Sequence, residues 1–323
     1  MKPIKHFRSY FILLVTLFLS SCEDEVVKQI AVITIEKDMS FNSMGDIKSI
    51  SFPTEKVGYV GSDTNFILKT INGGNSWKEI HFEGYGDCNA IEFQDKDNGM
   101  VLMGGTVYVT HDGGYFWSSK TTGDFIGITD EGLWVVGEDH GSEFEVKTSN
   151  NSGSFFTSYT KWYVNYGFSS GKVVDSKVIV FKDESSGDLI TGVDLITGKS
   201  FYLNSEELIF SEAIHDAYIY NSSSVLIGLE GLLMSSGNSY NYYSKSYLHL
   251  YNYYSIDGFE DRSMCVGDST ISSNFNRDNG EEWQEVFDSN GNGFKTTFYK
   301  VKFTDRETIY LGGKDGLLYK AKI

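Results

Sequence analysis

The sequence predicts an all-β fold, a seven-bladed β-propeller of four-stranded antiparallel blades. Residues 70–77 are Thr-Ile-Asn-Gly-Gly-Asn-Ser-Trp, and residues 110–117, forty positions later, are Thr-His-Asp-Gly-Gly-Tyr-Phe-Trp. A repeat near forty residues is typical of propellers, in which each repeat forms one blade. The chain also holds 34 glycines and 2 prolines, which suits many short strands joined by tight turns.

The repeated octapeptide predicts a turn between two strands. Asp or Asn accepts hydrogen bonds from the backbone two residues on, Gly adopts positive φ, and the hydroxyl adds a local bond. The terminal Trp begins the next strand and buries its ring against the adjoining sheet. The residues assigned to this structural turn are Thr70, Asn72, Gly74 and Trp77, then Thr110, Asp112, Gly114 and Trp117, and in a later copy Asp278, Gly280 and Trp283.

Three weaker copies keep the phase of the repeat, at residues 148–155, 194–201 and 235–242. In the first of these, the pattern aligns Thr148 with Thr70 and Phe155 with Trp77. Together with the copy at 276–283, the anchors are spaced by 38 to 46 residues. One four-stranded blade fits each interval.

A second signal is a short apolar run that precedes each turn and is usually bounded by glycine. Such runs are typical of strands buried on both faces. Seven of them occur, which predicts seven blades, at residues 58–61, 99–104, 133–137, 178–181, 225–228, 264–267 and 309–312.

The last unit ends before a fourth strand, and an incomplete blade would leave an unpaired edge in the ring. Residues 30–35, Ile-Ala-Val-Ile-Thr-Ile, alternate as a strand does. We therefore expect this N-terminal strand to close the last blade. The propeller then spans residues 29–323, in seven units of about 42 residues.

Residues 1–21 have the pattern of a secretory signal peptide, because Lys2, Lys5 and Arg8 precede an apolar run too short for a comfortable membrane span. The run ends in Leu-Ser-Ser-Cys, which resembles the lipobox of bacterial lipoproteins and implies lipid attachment at Cys22. Residues 22–28 would form a lipidated tether. We expect export across the inner membrane and anchoring to the outer membrane. Acidic residues 23–25 resemble surface-export signals, so periplasmic and surface-exposed locations both remain open.

The charge of the chain excludes one class of partner. Removing residues 1–21 takes away three basic residues and no acidic ones, which moves the formal net charge from −17 to −20. Nucleic acids and anionic membrane surfaces attract Lys and Arg patches. We therefore expect no nucleic-acid partner, and membrane attachment through lipid alone.

The turn at 70–77, together with the preceding Gly-Tyr-Val-Gly at 58–61, resembles Asp-box (BNR) repeat propellers, and more specifically the photosystem II assembly-factor-like family of the Ycf48 type. The resemblance implies a non-catalytic propeller that binds proteins during assembly. The family's arginine-lined binding surface is missing, because the mature chain holds only Arg262, Arg277 and Arg306. Sialidases, which share the motif, need three converging arginines, so this activity is not expected.

The sequence predicts no catalytic residue, metal site or cofactor. Glu138, Asp139, Glu143 and Glu145 flank His140, and we interpret this segment as a solvated loop. The histidines lack metal-ligand spacing, and no serine lies in a Gly-x-Ser-x-Gly elbow.

The best candidate contact surface is a tyrosine-rich segment that includes Tyr242, Tyr247 and Tyr251. Tyrosines with interleaved Asn and Ser can bind protein or glycan, although tyrosine also packs well in outer strands. We expect a protein-binding or assembly module that uses one face of the propeller. The alternative is a carbohydrate-active propeller, which binds glycan or hydrolyses it with paired carboxylates. Carboxylates converging with aromatics in the central channel would favour that alternative.

Overall fold

The computed structural model describes residues 31–323 except 42–43, 81, 83–85, 164–167, 175, 183–189, 204–213, 221–222, 230–231, 237–243, 248–250 and 275–282. Within strands, the side chains of 168–170, 182, 190, 201–203, 223–224, 232–236 and 244–247 also lie outside the description. Among the described residues, no helix has the length and apolar character needed to cross a membrane.

Seven four-stranded antiparallel blades form the fold, which confirms the predicted class and blade count. Blade 1 contains β2 (Ile47–Ser51), β3 (Gly58–Ser62), β4 (Ile67–Thr70) and β5 (Lys78–Ile80), and blade 2 contains β6 (Cys88–Phe93), β7 (Gly99–Met103), β8 (Thr106–Thr110) and β9 (Ser118–Thr122). Blade 3 contains β10 (Phe125–Ile128), β11 (Trp134–Asp139), β12 (Glu143–Ser149) and β13 (Thr157–Tyr163), and blade 4 contains β14 (Phe168–Val174), β15 (Lys177–Lys182), β16 (Ile190–Asp194) and β17 (Ser200–Leu203).

The remaining three blades continue this order. Blade 5 contains β18 (Ile214–Tyr220), β19 (Ser223–Gly228), β20 (Leu232–Ser236) and β21 (Ser244–Tyr247), and blade 6 contains β22 (Tyr253–Phe259), β23 (Arg262–Gly267), β24 (Thr270–Asn274) and β25 (Gln284–Asp288). Blade 7 contains β26 (Phe298–Phe303), β27 (Thr308–Gly313), a 3-10 turn (Lys314–Gly316), β28 (Leu318–Lys322) and, as its outer strand, β1 (Ala31–Asp38). The first strand of each blade packs against those of its neighbours around a central channel.

The N-terminal strand closes the ring, as the sequence predicts. β1 pairs antiparallel with β28, with Thr34 opposite Lys322 and Asp38 opposite Tyr319. The first residues of β1 also pair in parallel with β25 of blade 6, with Ile33 opposite Asp288. Ile33 is fully buried in the core cluster shared by blades 6 and 7. One strand therefore completes blade 7 and fastens it to its neighbour.

The seven apolar runs form the second strands of the blades. β3 and β7 are buried at every position. Glycine opens β3 and β7 because an aromatic ring at the end of the first strand, or just after it, lies where a Cβ would be. An ideal Cβ on Gly58 would lie 2.3 Å from the Phe52 ring, and one on Gly99 would lie 2.4 Å from the Phe93 ring. The runs therefore mark the strands that carry the blade cores.

The Asp-box residues form a closed network of hydrogen bonds between the third and fourth strands. The Thr70 hydroxyl donates to Asn72 Oδ1 at 2.9 Å and accepts from the Gly74 N–H at 3.0 Å. The second copy repeats both bonds, at 2.9 Å from Thr110 to Asp112 and 2.9 Å from Gly114 to Thr110. The network is local, so the motif builds the turn. Asp278 and Gly280 lie outside the described residues, and Trp283 packs against the blade 5 and 6 core.

The copy at 148–155 has a register one residue later than the sequence alignment predicts. Ser149, rather than Thr148, donates to Asn151 at 2.6 Å and accepts from the Gly153 N–H at 3.0 Å. The aromatic residue in the Trp position is then Phe156, which packs against the core, while Phe155 is exposed. The alignment on Thr148 and Phe155 was wrong because Ser149 supplies the same hydroxyl chemistry as threonine.

The Asp-box turns of blades 1 and 2 each pack against the preceding blade through an aromatic trio. Tyr59 of blade 1 stacks on Phe93 of blade 2 with ring centroids 3.5 Å apart, and Trp117 meets the same Phe93 edge-on at 6.0 Å. Across the closure, Tyr310 of blade 7 stacks on Phe52 of blade 1 at 4.1 Å, and its hydroxyl donates to the Gly73 carbonyl at 2.8 Å. The turn motif therefore joins neighbouring blades.

Gly74→Ala tests this packing. Gly74 has φ 74°, and an added Cβ would lie 2.8 Å from the Tyr310 ring. Gly105→Ala is the matched control, because Gly105 has φ 76° and nothing within 4 Å of its Cβ position. The backbone strain of about 1–2 kcal/mol is common to both. In urea unfolding, Gly74→Ala should lower the midpoint clearly more than Gly105→Ala, and equal losses would show that the turn does not pack tightly against blade 7.

Ile33→Ala tests the closure. Removing a buried isoleucine side chain costs about 2–5 kcal/mol, whereas Val32→Ala, at a neighbouring side chain that is 43% exposed, should stay within about 0.5 kcal/mol. Urea unfolding followed by tryptophan fluorescence measures both variants. A similar small effect of the two substitutions would contradict the role of β1 in the core.

Candidate functional site

Six of the seven inner strands carry a β-bulge at the same place, their second residue. The pairing skips one position between the first and third residues of β2, β6, β14, β18, β22 and β26. A bulge re-aims a side chain and is frequent next to functional sites. The bulged residues with described side chains all line a central cavity of about 490 Å³. We call this set the channel mouth: Lys48, Asn89, His215, Tyr254 and Tyr299.

Four residues of the channel mouth form a continuous arc over blades 5, 6, 7 and 1. His215 stacks on Tyr254 with ring centroids 5.6 Å apart, and Tyr254 contacts Tyr299 at 5.3 Å. Lys48 Nζ lies 3.1 Å from the centroid of the Tyr299 ring. Stacked aromatic rings with a cation at one end give rigid, amphipathic contact area. This arc can bind both apolar and polar groups of a ligand.

The titratable groups of the arc are held in defined states. Burial lowers the pKa of His215, although its Nδ1 lies 3.0 Å from the Tyr253 carbonyl, so the ring is neutral near pH 7. Burial, reinforced by Asp46, raises the pKa of Tyr299 to about 12. The arc therefore presents neutral rings and one ammonium group, that of Lys48, which pairs with Asp46 at 3.3 Å.

Below the arc, lysine and carboxylate side chains pair between the inner strands of neighbouring blades. Lys172 Nζ lies 2.7 Å from Asp216 Oδ1, and Lys302 Nζ lies 3.2 Å from Asp257 Oδ2. Each carboxylate also accepts a backbone N–H from the next inner strand, Asp216 from Ile256 at 3.0 Å and Asp257 from Phe303 at 2.8 Å. Burial opposes ionisation of Asp216, but the charges of Lys172 and Lys300 and these hydrogen bonds hold its pKa below the ordinary value. These pairs fasten the inner strands together.

Glu92 differs from these two carboxylates. It lines the same cavity, but its carboxylate makes no ion pair or hydrogen bond with the described residues. Burial raises its pKa, and the nearby charges of Lys302, Lys300 and Lys172 offset only part of this effect. Glu92 is therefore a channel carboxylate whose oxygens remain open to a ligand among the described residues.

The residues singled out from the sequence lie elsewhere. The Asp-box turns are on the face of the ring opposite the channel mouth, since they follow the third strands while the bulges begin the first strands. Tyr251 is exposed before β22, Tyr247 ends β21, whose side chains lie outside the description, and Tyr242 and Cys22 lie outside the described residues. Sequence reasoning missed the channel mouth.

Arg262 and Arg306 do not line the channel. Arg306 forms ion pairs of 2.6 Å with Glu260 and 3.0 Å with Asp261, and Arg262 donates to the Arg306 carbonyl at 3.3 Å. Both therefore belong to the contact between blades 6 and 7. Arg277 lies outside the described residues.

The segment around His140 is a hairpin of β11 and β12, whereas the sequence predicts a solvated loop. His140 Nε2 lies 3.2 Å from Glu145 Oε2 and 3.7 Å from Glu138 Oε2, a spacing that could hold a metal ion. However, the Lys147 ammonium contacts Glu138 Oε2, and Lys161 lies 3.6 Å from Glu145. Hydrogen bonds and lysine charges outweigh burial and lower the pKa of both glutamates. The two lysines therefore balance the charges of the glutamates in an ion-pair network.

Comparison with known proteins places the fold. No protein-family description and no curated protein matches the sequence. Among solved structures, "YCF48 bound to D1 peptide" aligns with a TM-score of 0.69 at 16% identity, covering 91% of this chain and 99% of that chain. YCF48 from Cyanidioschyzon merolae aligns with a TM-score of 0.68 at 14% identity, covering 88% and 97%. The WD40 β-propeller domain of Doa1 aligns with a TM-score of 0.67 at 11% identity, covering 91% and 97%.

The chain therefore has a Ycf48-like seven-bladed propeller fold, which the sequence resemblance implied. At these identities the likeness establishes the fold alone. The Doa1 domain, a WD40 β-propeller, has a similar fold. A fold of this kind does not determine function, which depends on the residues of the site.

Asp216→Asn tests the pairing below the arc. The ionised Asp216 contributes stability that is complete above its unfolded pKa of about 3.9 and is lost as the pH falls through the lower folded pKa. The variant should lose about 1.5–3 kcal/mol at neutral pH, and its urea midpoint should approach that of the unmodified protein below about pH 4. Glu79→Gln, at an exposed position, is the control. A gap that stays constant with pH would contradict an ionised Asp216.

Proposed function

We propose that this protein is a lipid-anchored cell-envelope protein that binds a protein partner at the channel mouth. The observation that carries the proposal is the repeated bulge, which turns side chains of successive blades into one cavity of about 490 Å³. The bulge recurs at the same position in six inner strands, and bulges are frequent next to functional sites. Concave sites lined by aromatic groups with a few polar ones are typical of binding sites.

The chemistry of the arc favours a polypeptide ligand. Tyr254 and Tyr299 offer amphipathic surface, and tyrosine is enriched where proteins bind proteins. One of the similar structures is YCF48 with a D1 peptide bound, which supports peptide binding by this architecture. The lipid anchor at Cys22 and the location in the outer membrane rest on the signal-peptide and lipobox pattern.

A non-catalytic role fits the state of the paired channel carboxylates. Asp216 and Asp257 each accept hydrogen bonds from a lysine and from a backbone N–H. A general acid and base pair needs one protonated and one free carboxylate at a suitable separation. These two aspartates are instead bound into the ring.

A carbohydrate-active propeller is the second candidate because of Glu92. This carboxylate has a raised pKa and shares the cavity with Tyr254 and Tyr299. Hydrolysis would require Glu92 as the acid, so Glu92→Gln would abolish any glycosidase activity. If the channel mouth instead binds a polypeptide, the unmodified protein and Glu92→Gln should both fail to hydrolyse glycans.

Partner capture from an envelope extract tests the proposed binding site. Tyr254→Ala and Tyr299→Ala should each weaken capture about tenfold, as loss of a central aromatic contact does. Tyr163→Ala is the matched control, because Tyr163 is 84% exposed and is not part of the cavity lining. Urea midpoints verify that the variants are folded.

The chemical class of the captured ligand, protein or glycan, distinguishes the two candidate functions. Protease treatment of the extract should abolish capture if the ligand is a protein, and should leave it intact if the ligand is a glycan. Tyr251→Ala is measured in the same assay, because Tyr251 belongs to the tyrosine-rich contact surface that the sequence predicts. Unchanged capture by both channel-mouth variants would contradict the proposed site, and a loss confined to Tyr251→Ala would move the site to that surface.

A further inference from the structure

The strand order assigns every turn to one of two faces. In each antiparallel blade, the turns after the first and third strands lie on one face of the ring, and the other connections lie on the opposite face. The inner strands start at the channel mouth, so the mouth lies on the second face. We call the first the Asp-box face, and it contains the turns 71–77, 111–117, 150–156 and 195–199.

The N-terminal strand emerges on the Asp-box face. β28, a third strand, runs from the channel-mouth face to the Asp-box face, and β1 runs antiparallel to it. Thr34 pairs with Lys322 near the end of β28, so Ala31 to Ile33 extend beyond that end toward blade 6. Cys22 precedes Ala31 by nine residues, at most about 30 Å of extended chain. A lipid on Cys22 therefore holds the Asp-box face near the membrane.

Half of the exposed large apolar side chains lie in the turns that follow the third strands on this face. Ten large hydrophobic side chains are exposed among the described residues, and five of these lie in the turns of four consecutive blades. Tyr163 and Tyr251 lie on the channel-mouth face. The five on the Asp-box face, with their exposed fractions, are Ile71 (70%), Tyr115 (80%), Phe116 (71%), Phe155 (59%) and Ile196 (71%).

A groove of about 440 Å³ lies between blades 1 and 2 on this face. Its lining residues all belong to blades 1 and 2, and the apolar ones are Ile71, Trp77, Ile80 and Tyr115. Its charged lining residues are Lys69, Lys78 and Glu79, so the groove does not share the strong negative charge of the whole chain. An apolar groove with interspersed lysines suits the headgroup region of a bilayer, where aromatic residues are enriched.

We propose that the Asp-box face docks on the lipid bilayer, with Tyr115, Phe116 and Phe155 inserted at headgroup level. The inference rests on the lipid anchor proposed above and extends it from a tether to an orientation. The channel mouth then points away from the membrane. A partner can reach the arc without competing with the lipid surface.

Site-specific labels on the full-length lipidated protein test the orientation. An environment-sensitive fluorophore is attached to Phe116→Cys, to Phe155→Cys, and to the control Tyr163→Cys on the opposite face. Cys88 and Cys265 are buried, and burial raises the pKa of Cys88 to about 12, so they do not compete for the label. Each protein is reconstituted into phosphatidylcholine vesicles with and without brominated acyl chains.

The proposal expects brominated lipid to reduce the emission of the labels at 116 and 155 by at least about twofold, because side chains of an interfacial face reach about 5–10 Å into the headgroup boundary. The label at 163 should not change. Equal quenching at 116 and 163 would overturn the orientation. A blue-shifted label at 116 that brominated lipid does not quench would also overturn it, and would assign the face to a protein contact.

Intact mass separates this failure from failure of the anchor itself. If the labelled Phe116→Cys and Phe155→Cys proteins carry lipid on Cys22 but show no quenching, the anchor stands and the docking face is contradicted. If intact mass shows that the protein carries no lipid on Cys22, the anchor and the orientation are contradicted together. Partner capture at the channel mouth is measured separately and can succeed in either case.

Discussion

Closure of the ring by β1 is the constraint on which the rest of the structure depends. Blade 7 has three strands of its own, and its fourth comes from the opposite end of the chain. By pairing with β28 and β25 together, β1 satisfies two sheet edges that would otherwise be open. On the other side of blade 7, Tyr310 contacts the turn and Phe52 of blade 1. Local turn chemistry and long-range closure therefore stabilise one another.

The candidate site exists because of this closure. The arc of the channel mouth crosses the seam, since Lys48 belongs to blade 1 and the ring it covers, Tyr299, belongs to blade 7. Deeper in the channel, Asp216 and Asp257 accept backbone N–H groups of the next inner strand, and Ser49 does the same for Ile91 at 2.8 Å. An open ring would separate the two ends of the arc. Stability and binding thus share the same inner strands.

The fold could be predicted from the sequence because its signals are local and repeated. The turn at 70–77 and the buried runs each encode one strand pair, and their count gives the number of blades. The channel mouth could not be found in the same way, because its residues differ in type from blade to blade. A signal was present: where a bulge occurs, the spacing between buried apolar residues rises from two to three, as in Ile47 to Ile50 and Phe298 to Val301. The ion pair of Lys172 with Asp216 joins residues 44 apart, and only the ring brings them together.

Hydrogen exchange of the β1 amides tests the closure most directly. Amides that share a cooperative unit exchange with the same opening free energy. If β1 closes the ring, the amides of residues 32–37 that pair with β28 and β25 should be protected to the same extent as those of β26 to β28, and should lose protection together with them in urea. Exchange of β1 at the rate of an unstructured peptide, while β26 to β28 stay protected, would contradict the account.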